Sequence, residues 1–196
     1  MRIISGKFGG RRLVSFDADH LRPTTDRVKE VIFNKIMFEI DGTDVLDLFS
    51  GTGNLSIEAI SRGARVAVAV EESSKSIAII KKNAELLKLG KKELDIQRSD
   101  VFDYIKRFRG PAFDIIFVDP PFTKAIADKV MEALSTFRGL KATTKIIIES
   151  GKKEIIKDNY SPIVLLERKD FGDKQLSFFG VHQGVDPSGK SDAKSS

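Results

Sequence analysis

The feature that most constrains the fold is a regular alternation along the chain of short apolar segments and longer amphipathic ones. The short segments have the length of buried strands and lie at 43–49, 66–70, 94–97, 113–119 and 145–149. The longer segments repeat apolar residues every three or four positions, near 54–62, 74–89, 101–108 and 124–137. Because strands that are apolar on both faces need cover on both sides, the pattern predicts an α/β fold with helices on both faces of a mostly parallel sheet.

The N-terminal region differs from this central pattern. Residues 1–22 combine short apolar stretches with glycines, which predicts short strands and a small β-hairpin extension. Thr24 or Thr25 can cap a following helix, and apolar residues recur in it at every fourth position from Val28 to Ile40.

The C-terminal region also departs from the alternation. After residue 160, two apolar segments joined by a tight turn at 171–173 predict an antiparallel hairpin at the edge of the sheet. The last twelve residues, VDPSGKSDAKSS from Val185 onward, are mostly small and polar and predict a disordered tail. We therefore expect an N-terminal basic arm (1–22), one domain (23–184) and a tail (185–196).

The composition excludes several kinds of site. The chain has 196 residues and no Cys, so one domain is expected and disulfides and thiolate metal sites are excluded. Its two histidines, His20 and His182, are far apart in sequence and predict no metal centre. No apolar run reaches the roughly 18 residues of a membrane helix, and the N-terminus lacks the apolar stretch of a secretory signal. We therefore expect a cytoplasmic protein with no membrane partner.

The distribution of charge indicates a polyanionic partner. The formal net charge is +5, and the first 12 residues carry four basic side chains and no acidic one: Arg2, Lys7, Arg11 and Arg12. The glycines among them would let this arm lie close to a phosphate backbone. A solvated terminal hairpin explains the same pattern, so both interpretations stay open.

A glycine-containing turn follows the first central strand. VLDLFSGTGNLSIEA predicts a strand bearing Asp47, a turn through Gly51 and Gly53, and a helix that begins near Asn54. A P-loop would need Gly-Lys-Ser/Thr, and a dinucleotide-binding loop would need a third glycine where Ser56 stands. The pattern therefore favours a ligand without phosphates but with an amino-acid end, whose ammonium group Asp47 could hold.

Acidic residues also end the next two strands. Glu71 follows the second strand, where a carboxylate can accept from both hydroxyls of a ribose. Asp100 follows the third strand, where it could accept from an adenine amino group. Either acid alone is typical of a solvated loop, but their recurrence at successive strand ends favours a nucleoside-containing ligand.

The most specific motif is Asp119-Pro120-Pro121-Phe122, at the end of the fourth strand. Two prolines fix the backbone and remove two N–H donors, so the Pro120 carbonyl and the Asp119 carboxylate can both accept from one amino group. An exocyclic base nitrogen is a poor nucleophile, and fixed acceptors for its protons would aim its lone pair at a methyl donor. Phe122 offers a face for base stacking. An ordinary proline-rich strand exit is the other interpretation.

Together these motifs resemble the class I amino-methyltransferases that depend on S-adenosylmethionine (SAM). Two N-terminal blocks, RIISG at 2–6 and LRPTTDRVKE at 21–30, narrow the resemblance to the RsmD family. Its members are bacterial methyltransferases that act on guanine N2 of small-subunit (16S) ribosomal RNA. The resemblance covers about residues 1–180 and implies a Rossmann-like, seven-stranded, mostly parallel sheet with a reversed C-terminal β-hairpin.

The resemblance also implies roles for individual residues. SAM contacts are expected from Asp47, Phe49, Ser50, Gly51, Thr52, Gly53, Asn54, Glu71, Asp100 and Val101. The target amine would be held by the Asp-Pro-Pro-Phe motif, and the basic arm would bind RNA phosphates. Three residues would line the site from the N-terminal side, against either SAM or RNA: Arg22, Thr24 and Arg27.

Three alternative functions fit the motifs less well. An adenine-N6 methyltransferase acting on DNA or RNA would share the Asp-Pro-Pro-Phe motif, but the DNA enzymes usually carry a separate recognition region, for which this chain has no room. An NAD-dependent oxidoreductase is disfavoured by Ser56, and a non-catalytic RNA-binding protein by the intact motif. The expected partner is 16S rRNA or the assembling small ribosomal subunit, with the chain acting as a monomer and requiring no protein partner.

Overall fold

The computed structural model describes residues 1–16, 26–121 and 125–182. Over these residues the chain forms five helices: α1 (Asp26–Lys35), α2 (Asn54–Ser61), α3 (Ser74–Leu87), α4 (Val101–Arg107) and α5 (Ala127–Leu134). It forms eight strands: β1 (Asp44–Leu48), β2 (Val66–Glu71), β3 (Leu94–Arg98), β4 (Ile115–Val118), β5 (Lys145–Gly151), β6 (Asn159–Tyr160), β7 (Ile163–Phe171) and β8 (Lys174–Val181). Among the helices in these ranges, none is long and apolar enough to cross a membrane.

All eight strands belong to one sheet, in the order β3-β2-β1-β4-β5-β8-β7-β6. Strands β1 to β5 are mutually parallel, whereas β8 pairs antiparallel with β5 and β7 pairs antiparallel with β8. The predicted α/β class with a reversed C-terminal hairpin is therefore confirmed. The sheet has eight strands rather than seven, because Asn159–Tyr160 adds a short antiparallel pairing to β7. A two-residue strand is too short to produce a periodic signal in the sequence.

The sheet separates two apolar clusters. On β4, Phe117 packs in the cluster with α1, α2 and α3, whereas Val118 packs in the cluster with α4 and α5. On β5, Ile147 shares the face of Phe117, and Ile148 shares the face of Val118. This alternation follows from the two-residue period of a strand and places every second side chain on the α1–α3 face.

The first residues form a short hairpin that packs along α2. An antiparallel bridge joins Arg2 to Arg12, and the N–H groups of Ile3 and Leu13 donate across the same hairpin to the carbonyls of Arg11 and Met1, both at 3.0 Å. The N–H of Lys7 donates to the carbonyl of Ser61, at the end of α2, at 2.7 Å. Backbone groups near the turn are therefore paired with α2 as well as across the hairpin.

The helix predicted up to Ile40 ends earlier. α1 stops at Lys35, and 36–39 form a turn. Ile36 and Ile40 are nevertheless buried, so the apolar spacing correctly identified core positions while overestimating the length of the helix.

Candidate active site

Four loops meet at the carboxyl edge of the parallel strands. β1 and β4 run side by side with Leu48 opposite Val118, and β5 continues the row with Ile148 opposite Val118. β2 flanks β1 on the other side, and β3 flanks β2. Asp47 and Glu71 lie at the ends of β1 and β2, and Asp100 and Asp119 directly follow β3 and β4. The fold therefore brings all the acidic residues predicted for the site to the edge where open α/β sheets bind ligands.

The loop after β1 turns sharply through residues with positive φ. The φ angle is 64° at Phe49, 54° at Gly51 and 79° at Gly53. A Cβ added at Gly53 would lie 3.3 Å from Ile80 Cγ2, so a side chain there would be both strained and crowded. The N–H of Gly53 donates to the carbonyl of Ser50 at 2.7 Å and closes the turn before α2. Beside Gly51 the space is almost open, which leaves room for a ligand against the backbone.

Asp47 lies buried directly below this loop. Its Oδ2 accepts from the N–H of Ser56 at 3.0 Å and from the Ser56 hydroxyl at 2.5 Å. Its Oδ1 has no hydrogen-bond partner within the described part of the chain. Burial raises the pKa of Asp47 to about 7; the bonds from Ser56 oppose the shift, while the nearby charges of Asp119 and Glu71 add to it. A cation near Oδ1 would relieve this cost, which fits the predicted contact with an ammonium group.

Glu71, at the end of β2, is tied to two loops. Its Oε2 accepts from the N–H of Gly51 at 2.8 Å, and its Oε1 accepts from the N–H of Ser73 at 2.8 Å. Glu71 thereby fixes the glycine-containing loop against the start of α3. Each carboxylate oxygen keeps a second lone pair, so both can still accept from ribose hydroxyls.

Asp100 caps the N-terminus of α4. Its Oδ1 accepts from the N–H of Asp103 at 3.0 Å, while the following Val101 is buried. The cap fixes the loop after β3 beside the loop after β2, since the N–H of Ser99 donates to the carbonyl of Glu71 at 3.2 Å. Asp100 itself is exposed at this edge, where a ligand can reach it.

The Asp-Pro-Pro motif leaves the sheet beside the glycine-containing loop. The N–H of Asp119 donates to the carbonyl of Leu48 at 3.4 Å, which holds the two strand exits together. Asp119 is half-buried, Pro120 is buried and Pro121 is exposed. Phe122, predicted to stack on the base, lies outside the described residues.

Asn54, predicted to contact the cofactor, is bonded to a buried lysine. Lys29 Nζ donates to Asn54 Oδ1 at 2.8 Å, to the carbonyl of Arg2 at 2.7 Å and to Glu58 Oε2 at 3.2 Å. Burial lowers the pKa of Lys29, and the negative charge of Glu58 opposes the shift. Asn54 therefore links the start of α2 to α1, and its cofactor contact stays a prediction.

Glu58 is the centre of this buried network. It accepts from the N–H of Ile4 at 2.8 Å, from the N–H of Ser5 at 3.1 Å and from Arg62 Nε at 2.8 Å. The sequence pointed to neither Lys29 nor Glu58, because the two residues are far apart in the chain and each resembles a charge on a solvated helix face. Their burial fixes the N-terminal segment, α1 and α2 relative to one another.

The basic residues of the arm are all exposed: Arg2, Lys7, Arg11 and Arg12. Arg2 pairs with Asp26 at 2.8 Å, and Lys7 pairs with Glu93 at 3.4 Å. Met1 lies near the glycine-containing loop, since the Thr52 hydroxyl is 3.3 Å from the Met1 sulfur. The segment therefore runs along α2 from the carboxyl edge towards the opposite edge of the sheet.

The remaining predicted residues lie near the start of α1. Arg27 is exposed and lines a cleft of about 300 Å³ together with Val28 and the β7–β8 turn. Arg22 and Thr24 lie outside the described residues.

Comparisons with known proteins agree with this architecture. The family described as conserved hypothetical protein 95 matches residues 1–180. Ribosomal RNA small subunit methyltransferase D of Haemophilus influenzae is 34% identical over 88% of this chain and 89% of its own length. The Escherichia coli protein of the same name is 35% identical over 76% of this chain and 74% of its own length.

A solved structure has the same fold. The Escherichia coli protein yhhF has a TM-score of 0.84 at 28% identity, covering 94% of this chain and 99% of that chain. The family match covers most of the chain, and both relatives named above exceed 30% identity. The chain belongs to the RsmD family of class I SAM-dependent methyltransferases.

Proposed function

We propose that this protein transfers a methyl group from SAM to the exocyclic N2 amino group of a guanine in 16S ribosomal RNA. The observation that carries the proposal is the position of Asp119 and Pro120, which leave β4 directly beside the glycine-containing loop after β1. An amine held by this exit would lie next to the cofactor site that we propose at this loop. The proposed substrate is 16S rRNA, free or in the assembling small subunit, and the protein acts as a monomer in the cytoplasm.

Three acidic residues are suited to hold the cofactor. The unpartnered Oδ1 of Asp47 is placed to accept from its ammonium group, and Glu71 retains lone pairs for two ribose hydroxyls. Asp100 is exposed at the next strand end and can accept from the adenine amino group. When bound, SAM supplies a methyl group carried on a positively charged sulfur.

Asp119 and Pro120 would activate the acceptor nitrogen. Its lone pair is delocalised into the base, and hydrogen bonds from its two protons to fixed oxygens turn that lone pair towards the methyl group. Because the nitrogen becomes more positive during transfer, a carboxylate beside it also stabilises the developing charge. Asp119 can accept the proton that leaves and pass it to water.

The substrate must expose the target base. The acceptor site lies at a strand exit, so a base within a helix would have to leave its stack to reach Asp119. The arm would bind phosphates during this step, because its exposed basic residues belong to a segment that runs along α2 from the carboxyl edge. Arg27 lies at the start of α1, in the cleft that it shares with the β7–β8 turn.

The choice of substrate is supported by the relatives. Those compared above are named for methylation of small-subunit ribosomal RNA, whereas guanine N2 is inferred from the family resemblance. Adenine-N6 methylation is the second candidate, because Asp119 and Pro120 would hold an adenine amine in the same way.

One labelling experiment separates these candidates. The purified protein is incubated with methyl-labelled SAM and either 16S rRNA, assembled small subunits or duplex DNA, and the labelled nucleoside is identified after digestion. We expect N2-methylguanosine from one or both ribosomal substrates. N6-methyladenosine, or label only in DNA, would overturn the proposed substrate and leave the cofactor site unaffected.

A further inference from the structure

A second carboxylate stands beside Asp119 on the same face of the sheet. Val118 is paired with Ile148, so the next residues are Asp119, directly after β4, and Glu149, on β5. Both lie two positions beyond residues of the α1–α3 face, Phe117 and Ile147. Strands in a sheet are about 4.8 Å apart, so the backbones that carry the two carboxylates are separated by about the width of one base.

Glu149 is buried, and only one of its two carboxylate oxygens has a partner among the described residues. The residue is 3% exposed; its Oε1 pairs with Lys174 Nζ, whereas its Oε2 accepts no hydrogen bond there. A buried charged oxygen without a donor is unfavourable and rare in folded proteins. Such an atom at the carboxyl edge of β5, next to the proposed acceptor site, indicates a donor that arrives with the substrate.

Lys174 brings a positive charge to the same place. It begins β8, directly after the β7–β8 turn, and it lines the cleft that also contains Arg27 and Phe171. Its side chain is 12% exposed. The edge therefore presents, in order across β4, β5 and β8, a carboxylate, a carboxylate and an ammonium group.

This order of charges is complementary to one base. The hydrogen-bonding edge of guanine presents an amino group at N2, a donor at N1 and an acceptor at O6, in that sequence. Adenine presents an acceptor at N1 and a donor at N6, and cytosine presents an acceptor at N3. A carboxylate next to the amine site would therefore accept from guanine N1 but repel the lone pair of adenine or cytosine.

We propose that Glu149 determines the specificity of this enzyme for guanine, by accepting a hydrogen bond from N1–H while Asp119 and Pro120 hold the N2 amine. Lys174 fixes the carboxylate and lies on the O6 side of the base. This inference rests on the proposed guanine-N2 activity. A role limited to attaching the hairpin to β5 would explain the ion pair with Lys174 but leaves Oε2 without a function.

The test uses a base that keeps the 2-amino group but lacks the N1 proton. After the methylated guanosine has been mapped with the unmodified enzyme, 16S rRNA is assembled by ligation with 2,6-diaminopurine at that one position. Wild-type enzyme should methylate this RNA with a kcat/KM at least roughly 100-fold below that for guanine, because a buried carboxylate then faces a lone pair. Equal kcat/KM values for the two bases would overturn the inference. This comparison needs only the wild-type enzyme.

The variant Glu149→Gln is expected to weaken the discrimination between the two bases. Its amide can donate to N1 of diaminopurine, so the preference for guanine should shrink by at least about tenfold, with guanine slowed and diaminopurine accelerated. If the variant binds SAM like wild type and its ratio of kcat/KM for guanine to kcat/KM for diaminopurine is unchanged, the inference is overturned.

The control is Glu167→Gln, which makes the same chemical change on β7, in the hairpin that packs beside β5. Glu167 pairs with Lys35 at 2.5 Å and Lys169 at 2.9 Å, away from the edge, so this variant should keep the wild-type ratio. Absence of N2-methylguanosine from wild-type enzyme would overturn the proposed function together with this inference. N2-methylguanosine with no discrimination against diaminopurine would overturn the inference alone.

Discussion

Lys29 on α1 and Glu58 on α2 form a fully buried ion pair, with 3.2 Å between Nζ and Oε2. Glu58 also accepts from the backbone of Ile4 and Ser5, so the pair joins the N-terminal segment to the helix that follows the glycine-containing loop. A buried charge is tolerated only where its partners are in place. The pair therefore fixes the position of α2, and with it the turn through Gly51 and Gly53.

Removing one partner of this pair should strongly destabilise the protein. Glu58→Ala leaves the Lys29 ammonium buried without its counter-charge, and we expect the free energy of unfolding to fall by about 3–5 kcal/mol. Urea unfolding followed by circular dichroism measures this loss. Glu132→Ala removes an exposed pairing with Lys157 and should change stability little. A small effect of Glu58→Ala would contradict the structural role assigned to the pair.

The sheet could be predicted from the sequence because the patterns that indicate its strands are local. The apolar runs of β1 to β5 and the turn at Gly172 are each contained within a few residues, and the Asp119-Pro120 motif follows one of these runs directly. Spacing alone therefore placed the acidic residues at one edge, since parallel strands end on the same side.

What the sequence did not reveal depends on contacts between distant segments. Lys29 stands in the sequence beside Val28 and was not distinguished from a solvated charge, because its partner Glu58 lies on another helix. Glu149 looked like an ordinary polar end of a strand until the register placed it beside Asp119. The backbone bond from Lys7 to Ser61, which attaches the N-terminal hairpin to α2, is likewise not visible in a local pattern.

Asp47 should make stability depend on pH. Its folded-state pKa is about 7, against an ordinary value of 3.8, so between about pH 4 and 7 the folded protein holds a proton that the unfolded chain has released. The stability of the ligand-free protein should therefore decrease as pH rises through this window. Binding of a cationic ligand favours the ionised form, so SAM affinity should rise over the upper part of the same range.

Two variants test the origin of this dependence. Asp47→Asn can still accept from Ser56 but cannot ionise, so both the decline in stability and the rise in SAM affinity should flatten. Denaturant unfolding and calorimetric titration at pH 5.5, 6.5 and 7.5 measure the two effects. Asp158→Asn removes an exposed charge near Arg168 and should retain the wild-type slopes. Identical slopes for Asp47→Asn and wild type would contradict the assignment.

Asp119 should be needed for transfer and dispensable for cofactor binding. Asp119→Ala removes the carboxylate that orients the amine, and we expect kcat to fall by roughly 100- to 1,000-fold, as when one preorganised electrostatic group is lost. The dissociation constant for SAM should stay within a few-fold of wild type, because Asp47, Glu71 and the glycine-containing loop are unchanged. Single-turnover methylation and calorimetry measure the two quantities, and full activity in the variant would exclude the assigned role.

The basic arm should contribute to RNA affinity through phosphate contacts. Deleting it is a poor test, because Ile3 and Leu13 are part of the core. The triple variant Lys7→Gln, Arg11→Gln and Arg12→Gln removes exposed charges and keeps these side chains. Each lost contact with single-stranded RNA should reduce the slope of log affinity against log salt by about 0.7, so three contacts would reduce it by about 2.

A matched variant distinguishes the arm from general positive charge. Lys106, Lys129 and Arg138 are exposed, and Lys106 and Lys129 lie on α4 and α5, which cover the opposite face of the sheet from α2. Changing these three residues to Gln alters the net charge equally but should leave the salt slope near the wild-type value. Filter binding of 16S rRNA between 50 and 300 mM salt (about a sixfold range) compares the two variants. Equal reductions of the salt slope in both variants would mean that RNA affinity depends on net charge alone. A reduction only in the arm variant would indicate that the phosphates lie along α2.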